Sequence, residues 1–152
     1  MAHPARRGGH PHARRSKARR LAMQALYQWQ MNAAAPSEII AQFEADDTVF
    51  RGVDRDYFER LVTEIIGRVD AIDALYAPDL DRPVEALDPV SRAILRLAAH
   101  ELADHLEVPF RVVIDEAVTL ARRFGPEKSH AYVNAVLDRL SRRLRAVEHG
   151  AG

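Results

Sequence analysis

The chain has no cysteine among its 152 residues, so neither a disulfide framework nor a thiolate metal site is available, and a reducing compartment, the cytoplasm, is the expected location. It also lacks any run of about 18 apolar residues, which argues against a transmembrane helix and a membrane role. The N-terminus carries prolines and charges but no apolar core of a secretory signal. Glycine-rich phosphate loops, a serine elbow and a thiol nucleophile are all missing, which leaves no catalytic residue to name and favours a binding protein over an enzyme. Aromatic residues make up only 7% of the chain, so an aromatic outside a core pattern calls for a reason.

What is present is an uneven distribution of charge. Basic and acidic residues number 22 each. Residues 1 to 20 hold seven of the bases (Arg6, Arg7, Arg14, Arg15, Lys17, Arg19 and Arg20) and no acid, so the remainder carries 15 bases against 22 acids. A local charge of +7 on an acidic body points to a polyanionic partner. Residues 1 to 13, with His3, Pro4, Gly8, Gly9, His10, Pro11 and His12, show no apolar period and are expected to form a flexible basic arm.

Apolar spacing then predicts helices throughout. A first helix from a Ser16 cap to Asn32 buries Ala18, Leu21, Ala22, Ala25, Leu26 and Trp29 in one sector. Tyr27 falls about 180° from that sector, on a face with Arg19, Arg20 and Gln24. A ring for stacking beside charges for phosphate is what a nucleic-acid surface requires. Ser37 is expected to cap a second helix ending near Asp46 and Asp47, and Asp54 a long one running from Phe58 to Leu75.

Pro78 closes the long helix, and residues 78 to 88 read as a break between two lobes, about 14–77 and 84–146, within one domain of 14–148. Asp88-Pro89 starts the next helix, whose buried stripe runs from Val90 to Leu106. Another spans Phe110 to Phe124 and stops at Gly125-Pro126. Ser129 is read as the cap of the last, which ends in Arg142, Arg143 and Arg145, cations that suit a helix C-terminus without any function. No segment alternates as a strand, so the fold class is all-α, a bundle of six to seven helices in two lobes.

One string resembles a zinc-protease motif, His100-Glu101-Leu102-Ala103-Asp104-His105. Its histidines are five apart, about 140° round a helix, and read as a solvated face with no metal and no cofactor. Asp115 and Glu116 stand about 100° apart, so no convergent acid/base pair follows from them. Lys128, Ser129 and Tyr132 gather at the head of the last helix, where backbone N–H groups favour an anion.

Four blocks in order carry a family resemblance: Arg14 to Tyr27, Ala93 to Leu102, Val108 to Ala121 and Phe124 to Asp138. Over residues 14 to 145 the chain resembles the NusB family of bacterial transcription antitermination factors. The resemblance implies an all-helical fold and binding of the boxA element of nascent RNA. It implies a heterodimer with NusE, a small-subunit ribosomal protein, in an RNA polymerase antitermination complex with other Nus factors that acts notably on ribosomal RNA operons. Self-association as a homodimer is left open. The resemblance would place RNA contacts on Arg15, Lys17, Arg19 and Tyr27, and on Phe124, Ser129 and Tyr132, to which the charge pattern adds Arg14, Arg20 and Lys128 as candidates; Glu85 and Ser91 would lie near the protein partner. Asp115, His100, Ala135 and Lys128 depart from the usual family residues, and Lys128 places an extra cation beside the RNA path. Two other readings fit the pattern: the RNA-binding lobe of a ribosomal RNA cytosine methyltransferase, and a structural helical dimer with nonspecific nucleic-acid binding.

Overall fold

A computed structural model describes residues 10 to 150, and residues 1 to 9 of the basic arm lie outside the described part. Seven α-helices are present among the described residues, with no strand: α1 Pro11–Asn32, α2 Pro36–Glu44, α3 Arg55–Gly67, α4 Val69–Tyr76, α5 Pro89–Asp104, α6 Phe110–Phe124 and α7 Ser129–Leu144. Short 3₁₀ turns occupy Asp47–Phe50, Ala77–Asp79 and Val84–Ala86. The described chain divides into two compact units, one through Gly67 and one from Arg68 onward. The division thus falls ahead of the 78–88 stretch, and α4 joins the second unit.

The starts of three helices differ from the serine caps read in the sequence. Helix α1 begins at Pro11 with His10 in extended backbone before it, α2 at Pro36 after Ala35, and α7 at Ser129 after Lys128. Proline takes the first position because its ring presets a helical φ and its missing N–H has no partner to lose there. Residues 11 to 13 of the expected arm are therefore helical. Asp54 and Asp88 do cap as expected. The Asp54 carboxylate accepts from Tyr57 N–H at 3.0 Å, and that of Asp88 from Ser91 N–H at 2.9 Å.

In the first unit α1 packs along α3, and α2 packs on both. Phe58 of α3 lies between Phe43 and Phe50, with ring centroids 5.5 and 5.3 Å away. Phe58, Leu61, Val62 and Ile65 are buried, as their spacing requires. The expected single helix to Leu75 is interrupted, since Arg68 leaves the helical region at φ −133° and ψ 28°. Glycine at position 67 weakens helix continuation. The apolar register resumes at Val69 and Ile72, which is why spacing alone conceals the break.

The second unit is held by an arginine that periodicity treats as incidental. Arg145 is only 5% exposed. Its Nε donates to Leu102 O at 2.8 Å, Nη1 to Val108 O at 3.0 Å, and Nη2 to Glu101 O and His105 O at 3.2 Å each. These carbonyls close α5 and the turn after it, where a helix end leaves acceptors without internal partners. Arg145 also pairs with Glu148 at 2.6 Å, whose other oxygen accepts from Phe110 N–H at 2.8 Å, the first residue of α6. That amide is the main reason the Glu148 carboxyl is held below its usual range. Arg143 in turn pairs with Asp79 at 2.5 Å and donates to Leu75 O, so two of the three terminal arginines are structural.

Because α5 stops at Asp104, Leu106 leaves the helical stripe and is 67% exposed, while His105 is buried. At the other end of α6, Gly125 has an ordinary φ of −84°, and its need for glycine is one of space. A Cβ there would stand 2.3 Å from Ser129 Oγ and 2.8 Å from Ala121 O. The glycine lets α7 start directly against the end of α6.

Two stability predictions follow from these contacts. Replacing Arg145 by Ala strands several buried carbonyls and is expected to cost about 3 kcal/mol in urea unfolding, with Lys recovering less than half. Gly125→Ala should lower stability by roughly 1 to 2 kcal/mol through forced displacement of backbone and Ser129, measured by thermal denaturation; a variant as stable as wild type would refute the steric reading.

Candidate RNA interface

On α1, the cationic residues separate into two groups according to helical angle. Taking Lys17 as zero, Arg15 and Arg19 fall at about 160° and 200°, on either side of buried Leu26 at about 180°. They face the head of α3. The Arg15 guanidinium lies 4.3 Å from the Tyr57 ring centroid and 3.7 Å from the Asp54 carboxylate. Arg19 lies 5.5 Å over the same ring and is only 2% exposed. Arg14 donates to Val53 O at 3.0 Å. Arg19 is therefore not on the outward face that the sequence assigned it. A long apolar stem and a planar head that stacks on tyrosine let this cation enter the interior.

The remaining sector is narrow. Lys17, Arg20, Gln24 and Tyr27 span about 80° of the helix circumference, each turned at least partly to solvent. Tyr27 is 40% exposed, as its angle requires. Among the described residues Lys17 and Arg20 enter no ion pair, so their charge is uncompensated. Met23 is buried, which extends the packed arc and confines the open one.

In the second unit, the turn between α6 and α7 brings Phe124, Lys128, Ser129 and Tyr132 together. Lys128 is exposed and adopts a left-handed backbone, φ 69°, before the first residue of α7. Ser129 does not cap α7, because its side chain turns back to Ala121 O at 3.4 Å. Phe124 is half-buried, with the Arg123 guanidinium 5.1 Å from its ring centroid.

Tyr132 is tethered more tightly than its helical position suggests. Its hydroxyl donates to Asp81 Oδ1 at 2.9 Å and accepts from Asp81 N–H at 3.4 Å. The Arg82 guanidinium lies 4.7 Å from the ring centroid. Arg82 also grips Asp81 through two bonds, Nε to Oδ1 at 2.7 Å and Nη2 to Oδ2 at 3.2 Å. Arg82 first, then Tyr132, hold the Asp81 carboxyl at about 2, so it stays ionised at neutral pH. Nothing in the spacing marks Arg82, since 50 residues separate it from Tyr132.

The expected partner positions diverge. Glu85 is exposed and borders an open cleft of about 520 Å³ with Asp73, Val84, Arg92 and Arg96. Ser91 is 2% exposed, covered once α5 packs, and its side chain is not at the surface. The histidines of the zinc-like string are also not solvated. His100 and His105 are buried with ring centroids 5.2 Å apart, edge to face, because His105 lies past the helix end where helical angles no longer apply. Their Nδ1 atoms stand 3.3 Å from the carboxylates of Asp104 and Glu107. Asp115 is exposed and Glu116 half-exposed.

The NusB family model matches residues 16–142. The transcription antitermination protein NusB of Acinetobacter baumannii (strain AYE) is 49% identical over 137 residues, covering 90% of this chain and 91% of its own. That of Alcanivorax borkumensis is 53% identical over 138 residues, with 91% of both chains covered. Among solved structures, T. maritima NusB aligns with a TM-score of 0.73 at 29% identity, over 84% of this chain and 89% of that one. A crystal structure of the antitermination factors NusB and NusE in complex with dsRNA aligns at 0.68 and 25% identity, over 84% of this chain and 96% of that one. With most of its length matched by the family model, and relatives near half identical across nine-tenths of both chains, this chain belongs to the NusB family.

Proposed function

We propose that the protein is a cytoplasmic transcription antitermination factor that binds boxA-type RNA together with NusE and promotes read-through by RNA polymerase, notably in ribosomal RNA operons. The observation that carries this is the open sector of α1, where exposed Tyr27 stands with Lys17 and Arg20, cations with no ion-pair partner among the described residues. Unpaired cations attract phosphate without regard to sequence, and an exposed ring stacks an unpaired base. Arg14 and Arg15, half-exposed and anchored at the head of α3, add positive potential beside them. Arg19 holds its neighbours in place and is left out of the direct contacts.

The turn after α6 is the second RNA-facing patch, with Phe124 and Tyr132 for bases, and Lys128 and Ser129 for phosphate. Splayed single-stranded bases are read in this way, by aromatic faces and nearby donors. NusE contact is assigned to the surface around Glu85 and its cleft. Function arises by assembly, with no bond made or broken by the chain.

Equilibrium binding to a boxA-containing RNA and to a scrambled RNA, each with and without NusE, tests the reading. Preference for boxA that grows with NusE is expected, and equal affinity for both RNAs under the two conditions would overturn it. Tyr27→Ala should cost roughly 1 to 3 kcal/mol of RNA binding with an unchanged melting temperature. Lys128→Asp keeps a residue type that tolerates left-handed backbone, and is expected to weaken binding and lower the salt slope by about one charge; a slope equal to wild type would remove Lys128 from the RNA path.

A further inference from the structure

We propose that Arg82 is an RNA-contacting residue, working with Tyr132 as a stacked cation and ring prepared before RNA arrives. The inference rests on the proposed RNA role of the turn at 124 to 132 and adds a residue from a different part of the chain. Three observations carry it. The guanidinium covers one side of the Tyr132 ring at 4.7 Å. Its side chain is 46% exposed, so a ligand reaches it without unfolding anything. Finally, its bonds to Asp81 engage Nε and Nη2 with one hydrogen each, which leaves three of the five N–H donors of an arginine for an acceptor outside the protein.

The stability of the unit does not account for this arrangement. An exposed ion pair between adjacent residues contributes little to folding. The direct hydrogen bonds that tether the Tyr132 hydroxyl come from Asp81, through its side chain and its amide. What the Asp81 pair does provide is a guanidinium already fixed in orientation, with less side-chain entropy to lose on binding. A planar cation so held can stack a base on its face while its remaining donors reach a phosphate oxygen. Lysine would supply the charge but not the plane.

Arg82→Ala and Arg82→Lys, assayed with a boxA-containing RNA across a salt series, test the proposal alongside Tyr27→Ala, which probes the other unit. Arg82→Ala is expected to bind about tenfold more weakly and to lose about one charge from the salt slope, with a wild-type melting temperature. Arg82→Lys should restore the slope but not the affinity. Unchanged or tighter binding by Arg82→Ala overturns the inference; tighter binding would mean that the guanidinium screens the ring. If Tyr27→Ala weakens binding while Arg82→Ala does not, this inference falls alone. If the wild-type chain fails to prefer boxA over scrambled RNA, with and without NusE, the inference and the function on which it rests fall together.

Discussion

The α6–α7 hairpin depends on one guanidinium. Arg145 satisfies carbonyls of Glu101, Leu102, His105 and Val108 and is itself balanced by Glu148. A buried charge of this kind is costly unless its donors are nearly all used, and the planar fork of arginine suits several carbonyls at once. Glu148 then reaches the first amide of α6, so the end of α5, the start of α6 and the end of α7 meet at one point. His149 stacks on Phe110 at the same place, ring centroids 3.8 Å apart. The opposite end of the hairpin is the turn at 124 to 129, closed by the tight approach of Gly125 to Ser129. A pair of helices pinned at both ends presents Phe124 and Tyr132 from a fixed support, as the proposed recognition of splayed bases would require.

Much of this architecture is legible in the sequence because its punctuation is chemically unambiguous. Asp54, Asp88-Pro89 and Gly125-Pro126 each admit one local solution, and the helices begin or end where they stand. The bounds of α6, Phe110–Phe124, follow directly from the spacing. Serine is less decisive. Ser16, Ser37 and Ser129 all resemble caps, but a nearby proline or a left-handed residue fixes the backbone first. Periodicity also misses departures that preserve the apolar register, such as the break at Arg68, and it runs past a helix end. Leu106 and His105 exchange roles for that reason alone.

The exposure of the candidate residues was legible where it depends on angle and illegible where it depends on partners. Tyr27 opposes the apolar sector and is exposed, as angle alone requires. Arg19 carries the same charge as Arg20 and sits beside it in sequence. About 100° of helix rotation places one over Tyr57 and leaves the other open. Ser91 disappears into the packed face of α5 although it lies at a helix start, where exposure is usual. Arg82 could be found only once the fold brought residues 82 and 132 together.

Counting charge along the chain therefore overstates what is available to a polyanion. Arg145, Arg143, Arg139 and Arg14 spend donors on backbone carbonyls, and Arg15 and Arg19 lie over Tyr57. A guanidinium already engaged with protein keeps its long-range potential but must give up hydrogen bonds to take a phosphate. An unengaged cation gives up only water. Lys17, Arg20 and Lys128 belong to that second class, and Arg82 is intermediate, held by one carboxylate with donors to spare. Among the described residues, the cations free to take a phosphate are thus concentrated at a few positions beside Tyr27 and Tyr132, where rings are also available. On the proposed reading, affinity and base recognition would arise from the same short list of residues, and the engaged arginines elsewhere serve the fold that holds them.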